Sequence, residues 1–193
     1  MAGEFDTHDP RYTALYVGHI VDQADPERLG RVRVQIPGLI EPASAWAFPL
    51  GTVGGGSAGR GFFAVPELGA EVGVLFHQGD PDHPYYLSGH WGRPEGGSEV
   101  PGPARGLSAS ETPQVRVFET GRFLLVFDDR PGQEALVIKD KISQDHVELD
   151  GRGMGITIKG SSAVLLVSDG LISIDSPTVQ INGRLVLPSG KPI

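Results

Sequence analysis

Apolar and polar residues alternate along this chain in short runs. Arg31-Val32-Arg33-Val34-Gln35-Ile36 is the cleanest, with Val, Val and Ile on one face and polar residues on the other. Tyr16-Val17-Gly18-His19-Ile20-Val21, Ala45-Trp46-Ala47-Phe48, Gly61-Phe62-Phe63-Ala64-Val65, Glu71-Val72-Gly73-Val74-Leu75-Phe76 and Tyr85-Tyr86-Leu87-Ser88-Gly89-His90 read as further strands. Gly and Pro interrupt the chain too often for helices. The pattern predicts an all-β protein, with a small closed barrel over residues 12–92 whose strands are joined by Asp-Pro, Pro-Gly and Gly-Asp turns. Residues 1–11 form an N-terminal arm. Residues 93–114, rich in Gly, Pro and Ser, read as a linker with few contacts of its own.

From Val115 to the end (residues 115–193) the pattern simplifies. Phe123–Asp129 and Ala135–Ile138 predict a hairpin around Pro131-Gly132. Beyond it, apolar pairs two residues apart recur at Val147/Leu149, Ile156/Ile158, Val164/Leu166, Ile172/Ile174 and Val179/Ile181, beginning 9, 8, 8 and 7 residues apart. A rung of this size gives one chain two or three inward apolar residues and no second wall. Such a repeat must bury its face against neighbours. The simplest closure is three copies wound about a common axis, an intertwined prism with no open sheet edge. The ten residues of those pairs are the expected trimer core. Thr157, Ser161, Ser162, Ser168, Ser173, Ser176 and Thr178 are expected to face water.

Composition narrows the function. The chain has 193 residues, 28 Gly, 16 Pro and no Cys. The Gly and Pro content is about twice the usual share. Without Cys there is no disulfide framework and no Cys-ligated zinc or iron–sulfur site. No apolar run reaches the ~20 residues of a membrane helix, and Met1–Asp9 does not read as a secretory signal. The expectation is synthesis in the cytoplasm. Net charge is -8, and up to Ser108 the balance is seven basic against thirteen acidic residues. That argues against a phosphate-binding surface.

Candidate chemistry is sparse. His8, His19, His77, His83, His90 and His146 show no metal-ligand spacing. His77 and His83 with Asp80 and Asp82 lie close in sequence, but Gly-Asp-Pro-Asp-His-Pro is first a turn. Asp128-Asp129 on a strand point to opposite faces and cannot share a substrate. Gly51–Gly61 lacks the Lys-Ser/Thr of a phosphate loop, and there is no Gly-x-Ser-x-Gly elbow. No catalytic residue, metal site or cofactor is expected.

Larger blocks carry a resemblance. Tyr16-Val17-Gly18, Asp25-Pro26-Glu27-Arg28-Leu29-Gly30-Arg31-Val32-Arg33-Val34, Ile36-Pro37-Gly38 and Ala45-Trp46-Ala47 stand first. Gly61-Phe62-Phe63-Ala64-Val65-Pro66-Glu67-Leu68-Gly69 follows, and then Glu71 through Tyr86 with Gly79-Asp80-Pro81. Together they resemble the OB-fold domain of central spike proteins of contractile injection machines. These include phage baseplate assembly protein V, the type VI secretion spike of the valine-glycine repeat family, and the myophage tail lysozyme spike. Phe127–Glu134 resembles the segment leading into the trimeric β-helix of such spikes. Gly30, Arg31, Pro37, Trp46, Pro66, Gly69, Gly79, Asp80 and Pro81 are the signature positions, read as barrel scaffolding.

The resemblance implies an N-terminal OB-fold barrel followed by a trimeric β-helical shaft. It implies a homotrimer that docks on a baseplate hub protein, pierces the target envelope and sits in a virion baseplate or injection particle. The gap from Trp91 to Val115 is too short for a lysozyme domain. The His-x-His metal tip of some phage spikes is missing, since the last histidine is His146. An apolar end with Leu185, Leu187, Pro192 and Ile193 instead suits capping by a PAAR-type tip protein.

Two rival functions differ in class. A trimeric tailspike with polysaccharide depolymerase activity needs grooves lined by aromatics and carboxylates, yet no Trp, Tyr or Phe follows Phe127. An OB-fold that binds single-stranded nucleic acid has candidate stacking residues in Trp46, Phe62, Phe63, Tyr85 and Tyr86, but its barrel is acidic.

Overall fold

The computed structural model describes residues 12–51, 57–87, 89, 91–153 and 155–186. No α-helix occurs among them. The chain divides into two compact units at Val100/Pro101.

The first unit holds β1 (Tyr16–Asp22), β2 (Arg33–Gln35), β3 (Phe48–Pro49), β4 (Glu71–Phe76) and β5 (Pro84–Leu87). They form one sheet in the order β2-β1-β4-β5-β3, antiparallel except for the parallel pair β3 and β5. Just before the two edge strands, Val32 and Ala47 exchange both backbone hydrogen bonds (3.1 and 2.8 Å), which ties the edges together. The Ser44 N–H adds a bond to the Val34 carbonyl at 2.8 Å. This is an OB-type sheet.

Alternation explains its core. Val32, Val34 and Ile36 from the β2 segment meet Val72, Val74 and Phe76 of β4, with Ile20, Ala47 and Tyr86 completing the cluster. These side chains are almost fully buried, and Ile20 retains 2% exposure. A Cβ on Gly18 would stand 3.1–3.3 Å from the Gln35 oxygen, Ile36 and Val74, so a side chain here would push these neighbours back by a few tenths of an ångström. The register slips between Ile20 and Asp22, a bulge that bends β1.

One expected strand is corrected. Gly61–Val65 is not a strand; Ser57 and Arg60 form a single bridge and the residues after it carry no ladder. Its apolar content serves packing instead: the Phe63 ring lies where a Gly30 side chain would be, and Val65 packs against the core.

The second unit is a meander. Strands β6 (Val115–Glu119), β7 (Phe123–Asp128), β8 (Ala135–Asp140), β9 (His146–Asp150) and β10 (Gly155–Lys159) pair antiparallel in sequence order. The predicted hairpin at Pro131-Gly132 is the β7–β8 turn. A short hairpin follows, β11 (Val179–Ile181) with β12 (Arg184–Val186). Residues 160–178 contain no strand.

The 93–114 stretch is more tied down than its composition suggests. It contains three short 3-10 turns, Pro94–Gly96, Gly102–Ala104 and Thr112–Gln114. In the first unit Glu99 accepts the Gly92 N–H at 2.6 Å. In the second, Glu111 accepts the Ser108 N–H at 3.0 Å, and Glu119 accepts the Gly102 N–H at 2.9 Å. Carboxylates thus satisfy backbone donors that Gly and Pro leave outside any ladder.

Candidate functional site

Residues directly opposite one another in a ladder share a face of the sheet. In the second unit one row runs Phe118–Leu125–Ile138–Val147–Ile158, and the next runs Arg116–Phe127–Leu136–Leu149–Ile156. Phe123 and Asp140 stand on the same side. This face is apolar across all five strands, with charge only at Arg116 on the edge strand β6 and at Asp140, where β8 ends. The reverse face carries Glu148, Thr157, Lys139, His146 and Lys159 beside the buried Val126.

The apolar face lies open. Ile138 is 53% exposed and Ile156 70%, and Phe127, Leu149 and Ile158 are exposed as well. Only Val115 and Val126 are buried apolar residues among the described part of this unit. Beyond the sheet the imbalance grows. Val164, Leu166, Ile172, Ile174 and Ile181 are exposed, and so is Leu165 at 83%. Monomeric proteins seldom expose contiguous apolar surface on this scale, and such patches mark interaction sites.

The expected trimer-core residues therefore divide. Val147, Leu149, Ile156 and Ile158 are cross-strand neighbours in an intrachain meander rather than consecutive rungs, although they do share one face. Val164, Leu166, Ile172 and Ile174 lie in the strandless stretch, and Val179 and Ile181 in β11. An eight-residue spacing is common to a rung and to a strand plus tight turn, so sequence alone did not separate them. Sequence reasoning also missed Phe123, Leu125, Phe127, Leu136 and Ile138 as members of the face. Leu124, Val126 and Val137 hide their alternation, because both parities of β7 and β8 are apolar. Of the expected tip residues, Leu185 is exposed in β12, while Leu187, Pro192 and Ile193 lie outside the described residues.

The signature positions cluster in the barrel. Asp25 accepts backbone N–H groups of Glu27, Leu29 and Arg31, and Arg31 donates to it through Nε at 3.0 Å and its terminal nitrogen at 2.7 Å. The guanidinium, together with these N–H donors, holds the Asp25 carboxyl well below its ordinary value. The same guanidinium lies 5.8 Å from the Trp46 ring centre and 5.3 Å from that of Phe48. The Tyr86 hydroxyl donates to the Gly30 carbonyl at 2.8 Å, and burial raises its pKa. Pro37 starts the Ile36–Ile40 turn, and the Gly69 N–H donates to Ile20 at 2.8 Å, latching the turn after Pro66 onto β1. At the Gly79-Asp80-Pro81 corner, Gly79 accepts the Tyr12 N–H at 3.1 Å. Asp80 receives the Asp82 N–H at 2.9 Å and lies 2.8 Å from His83 Nδ1, contacts that lower its pKa.

The chemistry-bearing residues do not converge. Asp128 pairs with Arg130, and Asp129 with Arg116. No group of three or more His, Asp or Glu side chains is placed to hold a metal among the described residues. His8 and His90 lie outside them. No helix among the described residues is long and apolar enough to cross a membrane.

The described residues form an all-β chain with an OB-type sheet and a second sheet open along an apolar face. Residues 16–91 match the family model of the type VI secretion system/phage-baseplate injector OB domain. The match spans β1 to β5, the stretch whose motifs carry the resemblance to an OB-fold domain of this kind. A search of curated proteins finds no match to this chain.

Proposed function

We propose that this chain is the central spike of a contractile tail or injection-system baseplate, a non-enzymatic homotrimer. Its barrels dock on the hub, and its C-terminal segments intertwine as the shaft that pierces the target envelope. The observation that carries this reading is the contrast between the units: a barrel with a closed core, and a second unit whose apolar residues from Phe123 to Leu185 stay largely exposed in one chain. Burial is worth about 25 cal/mol per Å² of apolar surface, so that surface is a strong drive to assemble. Three copies satisfy it symmetrically and cover the sheet edges. Sheath contraction supplies the force, and a rod bonded between chains transmits it to a small area.

The end of the shaft carries a PAAR-type tip protein. The exposed Leu185 and the apolar character of the last residues support this. No cofactor takes part.

Sedimentation and native mass measurement of the full chain test the reading. A trimer that resists dissociation by detergent and heat is expected. A well-folded single copy at micromolar concentration would overturn it.

A further inference from the structure

Residues 101–114 are fastened to the second unit at two places, each through a carboxylate. The first is Glu119, where β6 ends. One of its oxygens accepts the Gly102 N–H at 2.9 Å and the other accepts from Lys141 Nζ at 2.8 Å. Lys141 stands in the β8–β9 turn, and its own N–H donates to the Arg122 carbonyl at 2.9 Å. The Gly102–Ala104 turn is thereby held beside β6.

The second is Glu111. Its side chain accepts the Ser108 N–H at 3.0 Å and the Ser108 hydroxyl at 2.6 Å, while the Thr112 N–H donates to the Ser108 carbonyl at 3.0 Å. The other Glu111 oxygen lies 3.6 Å from Arg130, which Asp128 at the end of β7 holds at 2.7 Å. The Asp129 N–H donates to the Gln114 carbonyl at 2.9 Å, so the stretch enters β6 already bound to the residue that follows β7.

The first unit closes its own side. Glu99 accepts the Gly92 N–H at 2.6 Å and donates its own N–H to the Gly92 carbonyl at 3.2 Å, so residues 92–99 form a loop pinned at its base. Between the two sets of contacts lie Val100 and Pro101, where the units divide.

We infer that residues 101–114 are a releasable strap. Fastened by Glu111 and Glu119, it leaves Val100-Pro101 as the joint between the units. Released, it adds its fourteen residues to that joint as free chain. As free chain it spans roughly 20 Å on average and about 50 Å at full stretch. The strap goes beyond the spike reading and does not depend on the number of copies.

The fastenings are of a kind that lets go. Leu107 is the one large aliphatic side chain in the strap, so polar contacts rather than apolar burial carry the hold. The Glu119 and Glu111 side chains are 24% and 40% exposed, so water competes for each and neither is strong alone. The β6–β7 ladder is instead a continuous run of backbone pairs from Val115 and Asp128 to Glu119 and Leu124. A pull on the joint therefore loads the Gly102–Glu119 bond first and the Glu111–Arg130 pair next. It reaches the ladder only when both have given way. The strap yields length under tension while both units stay folded.

Trypsin cleavage and hydrogen exchange on the full chain test the inference. Arg105-Gly106 is the trypsin bond inside the strap, since no other Lys or Arg lies between residues 101 and 114. The variants are Glu111→Ala, Glu119→Ala and the two combined. Glu111 lies outside every strand, so its removal leaves the ladders untouched. Glu99→Ala, which opens only the first unit's loop, is the control. Melting of each variant reports that both units fold.

The wild type is expected to be cut slowly at Arg105. The double variant is expected to be cut at least tenfold faster, with the single variants between, and amide exchange in 101–114 should rise in the same order. Glu99→Ala should match the wild type. If the wild type is cut at Arg105 as fast as the double variant, or if Glu99→Ala is cut as fast as the double variant, the strap is overturned. A monomeric wild type that resists cleavage overturns the trimeric reading and leaves the strap standing; a trimer cut rapidly at Arg105 does the reverse.

Discussion

Asp25 and Arg31 are joined by two side-chain hydrogen bonds, and the same carboxylate caps three backbone N–H groups of the turn between them. One residue thus closes the β1–β2 connection and anchors the cation that lies beside Trp46 and Phe48. The folded state holds Asp25 below its ordinary pKa, so folding favours the ionised form. Its contribution is complete above the unfolded value of about 4 and is lost as pH falls toward the lower folded value. Asp25→Asn is expected to lower the barrel's melting temperature at pH 7 and by a somewhat smaller amount at pH 3, where the folded carboxyl is still ionised but the unfolded one is largely protonated. Thermal melts at the two pH values check this; an equal gap at both would show that the carboxylate charge is not what stabilises the turn.

Tyr86 joins the barrel core to the turn at Gly30. Tyr86→Phe keeps the ring but leaves the Gly30 carbonyl without its hydroxyl donor, at a cost of about 1–2 kcal/mol. Urea titration of barrel unfolding measures it. Unchanged stability would mean that water replaces the hydroxyl.

Gly30 itself has φ +78 and lies under Phe63. Gly30→Ala is expected to cost about 1–2 kcal/mol for the left-handed backbone. Phe63 is exposed and can swing aside, so combining Gly30→Ala with Phe63→Ala should recover little of the loss. Large recovery in the double variant would locate the cost in the ring contact.

Ile20 and Ile156 are the same residue type in opposite settings, 2% and 70% exposed. Ile20→Ala should destabilise the barrel by about 2–5 kcal/mol. Ile156→Ala should leave barrel unfolding unchanged and instead speed dissociation of the assembled protein. Equal effects of Ile156→Ala on both measurements would contradict the separation of the two units' stabilities.

Removal of residues 185–193 is expected to reduce capture of a PAAR-type tip protein in a pull-down while leaving assembly intact. Undiminished capture would place the tip contact elsewhere.

Asp140 is held down to about 2, first by Arg122 and then by the N–H of Ile142 in the β8–β9 turn. That turn was not legible from sequence, because Asp140-Lys141-Ile142-Ser143 carries neither Gly nor Pro; here a side chain replaces their conformational bias. The short strands β1, β2, β4 and β5 were legible, because their alternation matches the pleat and their turns carry Gly, Pro or Asp. Gly61–Val65 shows the limit. It has strand composition, but composition does not by itself make a ladder, and none forms along this run.

By itself the sequence determined the all-β class, the barrel with its inward Val and Ile residues, and the surplus of apolar residues after Val115. Each of these depends on local alternation or on the short reach of a turn. Tertiary structure decided which apolar pairs share a face and which strands pair within the chain. It also decided that Phe123, Leu125, Phe127, Leu136 and Ile138 belong with Leu149 and Ile156. The reason is physical: register is a relation between strands, set by where turns return the chain, and where both parities of a strand are apolar no periodicity records which side will be left facing outward.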